Sequence, residues 1–375
     1  MKKKSEKPLV VISAVNLTEG GPLSILQDAV TSFAANFISE YRLLLLINNK
    51  KLLRGICEND DLKIMEYSYP KRSWFLRIWF EYVHCYFISK KIKAYLWFAL
   101  HDITPNVKSN NKAVYCHNPA PFYQLSLRDA WIEKSLIFFN FFYSLFYHIN
   151  IRSNKYVVVQ QQWIRYEFEK RYKIKNTVVS YPDVQISETI KADHVAGSKF
   201  VFFYPALPRV FKNFETVLDA CKILEKLDND FEMILTFDGS ENKYAAKLVK
   251  KYKHLASVKF IGAKKREDII HLYQKSSCLV FASKLETWGL PITEMKLLNK
   301  PIIVAKCKYA YETAGDYEKA CFFEPMNALQ LSELMKKALT GDLEFNSSHF
   351  FPPSQPFTKT WKDLFSLILS DTKNN

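Results

Sequence analysis

The sequence predicts an α/β protein built from two doubly wound parallel-sheet domains. Short apolar runs rich in β-branched residues alternate with helix-length segments, which is the pattern of βαβ units. The chain has 375 residues, more than one hydrophobic core comfortably serves. A polar segment at 181–198, which begins with a proline break, separates two series of such runs and is the expected linker. We therefore expect one domain at 1–185 and a second at 186–350.

The predicted strands fall into these two series. In the first domain they lie at 9–16, 42–47, 62–68, 96–100, 113–117, 157–160 and 177–180, and in the second at 200–204, 233–237, 258–261, 278–282, 301–305 and 321–323. A proline-rich break at 351–356 precedes a final amphipathic helix expected at 358–369. Sheets of this kind bind ligands in the crevice outside the carboxyl ends of their strands, so side chains that follow strands are the candidates for a site.

Composition indicates a globular protein, with 48% hydrophobic and 24% charged residues. The net charge is +15, and most of it lies in residues 1–198, which carry 27 Lys and Arg against 17 Asp and Glu. The seven cysteines are scattered, odd in number and without a C-x-x-C pair, which fits reduced thiols in a cytosolic protein.

Neither a secretory leader nor a membrane span is predicted. The basic amino terminus is followed by an apolar run too short for a signal core. No run reaches the roughly 20 apolar residues that a spanning helix needs. We expect a cytoplasmic protein, or one that is peripheral on the inner face of the cytoplasmic membrane.

The most informative motif follows the predicted strand at 278–282. Glu286 stands on the loop after that strand, and Glu294 lies about one turn into a helix that Pro291 is suited to start. The two carboxylates therefore face the same crevice. Between them the chain offers main-chain N–H groups at a helix N-terminus, which favours an anion. These belong to Thr287, Trp288, Gly289 and Leu290. The two carboxylates can accept hydrogen bonds from hydroxyls, and the N–H groups between them can bind a phosphate. A nucleotide sugar carries both kinds of group.

This segment resembles the E-x7-E signature of retaining glycosyltransferases of family 4, whose usual form is E-[TSG]-[FW]-G-L-P-x-x-E. The resemblance implies the GT-B fold, in which two Rossmann-like domains face an interdomain cleft and a terminal helix, here about 357–375, returns to the first domain. It implies that Glu286 faces the hydroxyls of the donor sugar, that Glu294 holds the ribose, and that the loop amides approach the diphosphate. A nucleotide-diphosphate sugar is then the co-substrate, and no other cofactor is expected.

Two pieces of the first domain follow strands. Gly20 and Gly21 precede a helix and let the backbone approach a ligand, and they resemble the family's glycine loop beside the donor phosphates. His117 ends another strand and looks like the family's His-x-P turn, where the histidine contacts the transferred sugar. His101 follows the preceding strand, and it remains an alternative for the same role.

Two cations open the second domain. Lys212 and Arg209 lie on the loop after the strand at 200–204, where both could reach a diphosphate. They resemble the family's G-R-x(n)-K-G segment, although Leu207 occupies the usual arginine position and Arg209 is therefore predicted as its substitute.

Asp238 and Gly262 follow the strands at 233–237 and 258–261, where the resemblance implies contact with the nucleoside. Both also fit ordinary strand-to-helix turns.

No metal site is predicted. Asp228, Asn229 and Asp230 spell the D-x-D signature of the other large glycosyltransferase fold, but they precede a strand instead of following one. We interpret them as a polar turn, and we expect cations and amides to stabilise the departing phosphate.

Two aromatic segments distinguish the first domain. Residues 74–88 carry polar side chains only at Arg77, Glu81 and His84, before Lys90, Lys91 and Lys93, and residues 135–147 are similarly rich in phenylalanine. Such helices are either buried in a core or lie in a membrane interface. With the basic charge they suggest an anionic membrane surface as a partner. No nucleic-acid-binding module is present, so nucleic acid is not expected as a partner.

The expected function is transfer of a hexosyl or deoxyhexosyl group, with retention, from a nucleotide sugar to a glycan or an undecaprenyl-linked acceptor. The basic, aromatic first domain resembles enzymes of O-antigen, capsule or lipopolysaccharide assembly. Two alternatives remain: another GT-B enzyme such as a nucleotide-sugar epimerase, and a non-catalytic GT-B scaffold at the membrane.

Overall fold

The computed structural model describes residues 7–53, 55–124, 131–184, 199–227, 230–345 and 350–370. The chain forms two compact units. The first consists of residues 1–121, 141–183 and 353–375, and the second of residues 122–140 and 184–352. Residues 122–140, which lie inside the predicted first domain, thus cluster with the second unit. The predicted linker residues 185–198 lie outside the described residues, as do Asp228 and Asn229 of the D-x-D sequence.

All thirteen predicted strands are present in the described residues, together with one short strand that was not predicted. The strands are β1 (Leu9–Ala14), β2 (Arg42–Ile47), β3 (Leu62–Glu66), β4 (Leu96–Ala99), β5 (Asn111–Cys116), β6 (Tyr156–Val159), β7 (Thr177–Ser180), β8 (Phe200–Tyr204), β9 (Phe231–Leu235), β10 (Val258–Phe260), β11 (Cys278–Phe281), β12 (Ile302–Ala305), β13 (Ala320–Phe323) and β14 (Phe357–Thr358).

The α-helices fill the connections between these strands. They are α1 (Gly20–Asn36), α2 (Trp74–Trp79), α3 (Cys85–Ile92), α4 (Lys134–His148), α5 (Gln162–Tyr172), α6 (Phe214–Leu224), α7 (Lys243–Tyr252), α8 (Arg266–Lys275), α9 (Leu290–Leu297), α10 (Lys308–Ala314), α11 (Ala328–Thr340) and α12 (Trp361–Ser370). Within the described ranges, no helix combines the length and the apolar character that crossing a bilayer requires.

Each unit is organised by one parallel sheet. Among the described residues, the first sheet has the order β14-β7-β6-β5-β4-β1-β2-β3 and the second has the order β10-β9-β8-β11-β12-β13. In the first sheet the chain order reverses between β1 and β4, and in the second it reverses between β8 and β11. Ligands of doubly wound sheets bind at such reversals, outside the carboxyl ends of the strands. The predicted α/β class with two doubly wound parallel sheets is confirmed.

The first sheet is covered on both faces. On one face α1 and α12 pack together, with the rings of Phe33 and Phe365 edge to face and 5.1 Å between centroids. The terminal helix therefore packs within the first unit. On the other face Phe80, Cys85 and Ile88 are buried against strand residues of β1, β2 and β4. Strands covered in this way are apolar along their whole length, which is why their sequences read as continuous apolar runs.

The aromatic segment of the first unit is buried on one side, as the core interpretation predicts, and the membrane interpretation stays a prediction. It forms α2, then a π-helical turn at Phe80–His84, then α3. One side is buried in the core, whereas Phe75, Trp79 and Phe87 on the outer side are 74%, 50% and 58% exposed. The extra residue of a π turn shifts the faces of the helix, and such turns are frequent at functional sites.

Candidate functional site

The strongest constellation lies at the chain reversal of the second sheet. Lys212 follows β8 and Glu286 follows β11, and the ammonium of Lys212 forms an ion pair with Oε1 of Glu286. The two side chains are only 16% and 17% exposed. Two residues predicted separately to act on the donor are therefore in direct contact, at the position where this type of sheet binds ligands.

The main chain and the side chain of Lys212 are held by aromatic residues. The buried hydroxyl of Tyr204 donates a 2.6 Å hydrogen bond to the carbonyl oxygen of Lys212. The ammonium group lies 5.6 and 5.7 Å from the ring centroids of Phe211 and Phe281, within the range of a cation–π attraction. These contacts hold one positive charge at the strand ends without enclosing it.

Asn213 connects three loops of the second unit. Its backbone is left-handed, with φ 58°, and its Nδ2 donates to the carbonyl oxygens of Ala282 (3.3 Å) and Pro325 (2.5 Å). The N–H of Lys284 donates to the carbonyl oxygen of Phe211 at 2.7 Å. The loops after β8 and β11 are therefore tied to each other by hydrogen bonds, which preorganises the Lys212–Glu286 pair.

The loop before α9 has the form that an anion cradle requires. Trp288 is 7% exposed, and its indole N–H donates to the hydroxyl of Thr293 at 2.8 Å. Thr313 donates from its hydroxyl to the carbonyl oxygen of Trp288. Within the described residues, the main-chain N–H groups of Thr287 and Gly289 donate to no protein acceptor. They remain available to a ligand at the N-terminus of α9.

Gly289 is the position in this loop where a larger residue is least tolerated. Its φ is 91°, and a Cβ atom there would lie 3.3 Å from Ile292 and Tyr309 and 3.4 Å from Phe281. We expect Gly289→Ala to lower the free energy of unfolding by about 2–4 kcal/mol, because backbone strain and steric crowding add together. Gly341→Ala is the matched control, since its φ is 79° but nothing lies within 4 Å, and it should cost about 1 kcal/mol. Urea unfolding measures both, and equal losses would contradict the crowding at Gly289.

Glu294 lies on α9 and is buried. It is 2% exposed and forms an ion pair with the guanidinium of Arg266, which begins α8 and is 52% exposed. Burial raises the pKa of the Tyr273 hydroxyl well above its usual range, and the charge of Glu294 and a hydrogen bond with it add to that effect. Arg266 was not predicted as a site residue, because its proximity to Glu294 depends on the packing of α8 beside α9.

Arg209 contacts a different carboxylate. Its Nη1 lies 2.6 Å from Oε1 of Glu133, and the other oxygen of Glu133 accepts the N–H of Val210 at 3.3 Å. The structure therefore brings Lys212 and Glu286 together and directs Arg209 toward the segment 122–140.

The two predicted nucleoside contacts, Asp238 and Gly262, are neighbours. Gly262 has φ 71°, and a Cβ built on it would lie 2.7 Å from Oδ2 of Asp238. Hydrogen bonds from Ser240 lower the pKa of Asp238 below its usual value.

The first unit has a pocket at its own chain reversal. Its volume is about 310 Å³, and it opens beyond the carboxyl ends of β1, β4 and β5. The lining residues come from all three strand ends and from three helices, α1, α2 and α4: Asn16, Leu17, Pro22, Arg77, His101, Asp102, His117, Asn118, Pro119 and Tyr143. Both histidines considered in the sequence line this one pocket. His117 is 11% exposed, and His101 is 1% exposed with Nε2 3.2 Å from the hydroxyl of Ser13.

Asp102 organises the His-x-P turn. It has a left-handed backbone, with φ 71°, and its Oδ1 accepts the N–H groups of His117 (2.7 Å) and Asn118 (3.0 Å) and the hydroxyl of Tyr147 (2.7 Å). Its Oδ2 lies 3.8 Å from Nε2 of His117. Asp102 therefore sets the orientation of the turn, a role that the sequence did not reveal.

Gly20 starts α1 with φ 61°, and a Cβ built on it would lie 4.0 Å from Cδ of Pro22, an ordinary contact distance. The ammonium group of Lys71 contacts the loop just before it, at the hydroxyl of Thr18 and 3.2 Å from Oε1 of Glu19. The glycine loop thus has a cation nearby that was not predicted.

Of the three polar side chains in the aromatic segment 74–88, Arg77 lines this pocket and Glu81 lies beside one of its histidines. Glu81, which is 0% exposed, lies 3.2 Å from Nδ1 of His101 without hydrogen-bond alignment. Burial raises the pKa of Glu81 to about 8, against the opposing charge of Arg77. Burial also holds the pKa of His101 well below its usual value, with the charge of Arg77 acting in the same direction. The isolated polar positions of an otherwise apolar helix were the available signal in the sequence.

The raised pKa of Glu81 predicts a specific dependence of stability on pH. The native carboxyl keeps its proton up to about pH 8, whereas the unfolded one loses it near its usual pKa of 4.5. Unfolding therefore releases a proton between these values, and wild-type stability falls as pH rises through this window. We expect Glu81→Gln to gain stability relative to wild type between pH 5 and 8, by up to about 1.4 kcal/mol per pH unit.

Urea unfolding at pH 5, 6.5 and 8 measures this difference. Glu318→Gln, which changes an exposed carboxylate, should show no such trend. A difference that stays constant with pH would mean that Glu81 is ionised in the native protein.

A family model matches part of the chain. Residues 186–349 match the family model of the glycosyl transferases group 1. The matched region covers the Lys212–Glu286 pair and the loop before α9. No curated protein sequence matches the chain significantly.

Solved structures of similar fold include glycosyltransferases. WaaG, a glycosyltransferase involved in lipopolysaccharide biosynthesis, aligns with 15% identity and a TM-score of 0.62 over 97% of this chain and 99% of its own. Anabaena Alr3699/HepE in complex with UDP-glucose aligns with 14% identity and a TM-score of 0.63, over 98% of this chain and 97% of its own. TarM aligns with 16% identity and a TM-score of 0.55 over 69% of this chain. The aligned part spans about half (51%) of the length of TarM. At these identities the likeness establishes the GT-B fold.

Proposed function

We propose that this protein is a metal-independent retaining glycosyltransferase that moves a hexosyl or deoxyhexosyl group from a nucleotide-diphosphate sugar to a glycan or lipid-linked acceptor. The observation that carries this proposal is the partly buried Lys212–Glu286 pair at the chain reversal of the second sheet. The match of residues 186–349 to the glycosyl transferases group 1 supports it.

In the proposed reaction the second unit holds the donor. The ammonium of Lys212 and the amides of residues 287–290 neutralise the diphosphate as it leaves, in the role that a divalent ion has in other enzymes. Glu286 accepts from hydroxyls of the sugar, and Glu294 accepts from the ribose. Arg209 adds a second cation if it leaves Glu133 when the donor binds.

The first unit is proposed to bind the transferred sugar and the acceptor. His117 contacts the sugar, with Asp102 fixing its turn, while Gly20 and Gly21 allow a close approach of the donor phosphates. The bond between the anomeric carbon and the diphosphate oxygen breaks, and the acceptor oxygen attacks from the same face. The acceptor hydroxyl gives its proton to the departing diphosphate, and the anomeric configuration is retained.

A panel of nucleotide sugars tests the proposal. A bound donor stabilises the native state by mass action, so one of the UDP-, GDP- or dTDP-sugars should raise the melting temperature of the full-length protein. Glu286→Gln should abolish turnover of that donor. A product with retained configuration separates transfer from epimerisation. The proposal fails if no nucleotide sugar shifts the melting temperature.

We further propose that the first unit docks on an anionic membrane. The exposed rings of Phe75, Trp79 and Phe87 lie along one helical stretch that ends in the exposed Lys90, Lys91 and Lys93. Aromatic rings favour the membrane interface, and each nearby cation contributes about 1 kcal/mol at an anionic surface. Docking would present a lipid-linked acceptor, as expected in O-antigen, capsule or lipopolysaccharide assembly on the cytoplasmic side.

Vesicle sedimentation measures this interaction. We expect binding to phosphatidylglycerol vesicles that weakens with salt, and a loss of at least about tenfold when Phe75, Trp79 and Phe87 are all replaced by serine. Phe351→Ser is the control, because this 84% exposed ring belongs to the second unit. Unchanged binding of the triple variant would exclude this surface.

A further inference from the structure

The guanidinium of Arg77 is a buried charge on the wall of the first-unit pocket. The residue is 8% exposed, yet it lines a cavity of about 310 Å³ that opens beyond three strand ends. Transferring an ionised side chain out of water is costly unless a partner charge compensates it. We therefore ask which groups contact Arg77 and whether any of them carries a negative charge.

Arg77 donates to neutral acceptors. Its Nη2 donates to the carbonyl oxygen of His101 (2.8 Å), and its Nη1 donates to the hydroxyl of Tyr143 (3.2 Å). With the Asn16 amide oriented to satisfy its hydrogen bonds, the amide oxygen accepts from Nε (2.5 Å) and Nη1 (3.2 Å) of Arg77. The ring of Trp74 lies 5.0 Å from the guanidinium carbon. Within the described residues, no carboxylate forms an ion pair with Arg77.

The two carboxyl groups that act on Arg77 when ionised are those of Glu81 and Asp102, and neither forms an ion pair with it. Glu81 follows Arg77 by four positions, but burial keeps it protonated near neutral pH, so it brings no negative charge. Asp102 is the second, and its Oδ1 already accepts three hydrogen bonds from the His-x-P turn and from Tyr147. The fork of Arg77 is thus held in place by neutral groups, with its charge left for a ligand.

The pocket suits a small anion joined to a polar group. Its volume lies at the lower end of the range for small-molecule sites. A planar guanidinium favours phosphate and carboxylate, which match its paired N–H groups. His117 and Asn16 also line the pocket and offer further polar contacts to the sugar or alcohol that carries the anion.

We propose that Arg77 binds an anionic group of the substrate, a phosphate or a carboxylate, in the first-unit pocket. This inference rests on the proposed function. The anion belongs either to the acceptor or to the donor diphosphate, and we favour the acceptor because the second unit already offers Lys212 to the diphosphate. Tyr143 and Asn16 are positioning residues, since they hold the guanidinium.

Hydrogen–deuterium exchange of the full-length protein with inorganic phosphate tests the site directly. Lys212→Gln is used as the background, because it weakens competing phosphate binding in the second unit. We expect phosphate to slow exchange in peptides that cover residues 13–22, 74–81 and 115–119. No slowing at tens of millimolar phosphate, or slowing confined to the second unit, overturns the proposal.

Variants at position 77 give an independent readout. Arg77→Gln should remove the stabilisation by phosphate in a thermal melt, and Arg77→Lys should retain part of it because a charge remains without the fork. Arg72→Gln, at an exposed arginine nearby, should behave as wild type. Equal stabilisation of the wild type and a folded Arg77→Gln protein overturns the proposal. If Arg77→Gln does not fold, Arg77→Lys and the exchange experiment decide.

Nucleotide-sugar affinity identifies the source of the anion. An unchanged dissociation constant in the Arg77 variants assigns the anion to the acceptor, and a weakening of at least tenfold assigns it to the donor diphosphate; either result supports the site. The phosphate experiments need no nucleotide. A failure of the proposed function, seen as no nucleotide-sugar binding, is therefore distinguishable from a failure of the Arg77 site.

Discussion

Lys212→Gln is expected to lower the rate of sugar transfer by about 10²–10³-fold at saturating donor. The ammonium group stands at the ends of β8 and β11, where the proposed leaving diphosphate accumulates charge. Glutamine keeps most of the side-chain length and removes the charge. It also leaves the carboxylate of Glu286, only 17% exposed, without its ionic partner, so stability should fall by about 1–3 kcal/mol.

The matched control is Lys306→Gln. Lys306 forms a similar ion pair with Glu324 in the same unit, at 2.8 Å, but the two side chains are 37% and 58% exposed. Exposed pairs contribute little to stability, so this variant should keep both its stability and its transfer rate. Turnover by Lys212→Gln at a rate similar to that of Lys306→Gln would remove Lys212 from the mechanism.

Glu294→Gln should weaken binding of the nucleoside diphosphate by about 10–100-fold, because a hydrogen bond to a charged acceptor contributes about 1.5–3 kcal/mol. The carboxylate is buried, and its orientation is set by Arg266 and Tyr273. Stability should change less than affinity, since water can compensate the half-exposed guanidinium of Arg266.

Isothermal titration with the nucleoside diphosphate measures this effect. Glu267→Gln changes an exposed carboxylate next to Arg266 and should bind as wild type. An unaltered dissociation constant for Glu294→Gln would mean that the ribose is held elsewhere.

Most of the fold could be predicted from the sequence because its strands are buried on both faces. Such strands appear as apolar runs, and β2 and β8 occupy the residues predicted for them. Errors occurred at strand ends. β9 begins at Phe231, two residues before its predicted start, because Phe231 and Glu232 pair with β8 although Glu232 is polar. The terminal helix begins at Trp361 because Phe357 and Thr358 pair with β7.

The candidate site was predictable where a residue follows a strand at a chain reversal. Lys212 and Glu286 meet this condition, and so does His101, whereas His117 follows the neighbouring strand β5. Contacts between segments distant in sequence were not predictable. Glu133 at Arg209 and Arg266 at Glu294 depend on tertiary packing and leave no local pattern. Arg77 and Glu81 were visible in the sequence as isolated polar residues in an apolar segment. The direction in which their side chains point depends on the π turn, which the sequence did not reveal.

A crystal structure with the nucleotide sugar that gives the largest thermal shift tests the central claim most directly. The account predicts phosphate oxygens within about 2.7–3.2 Å of the ammonium of Lys212 and of amides in residues 287–290, with the ribose hydroxyls at Glu294. A donor bound with its diphosphate out of reach of Lys212 and those amides would contradict it.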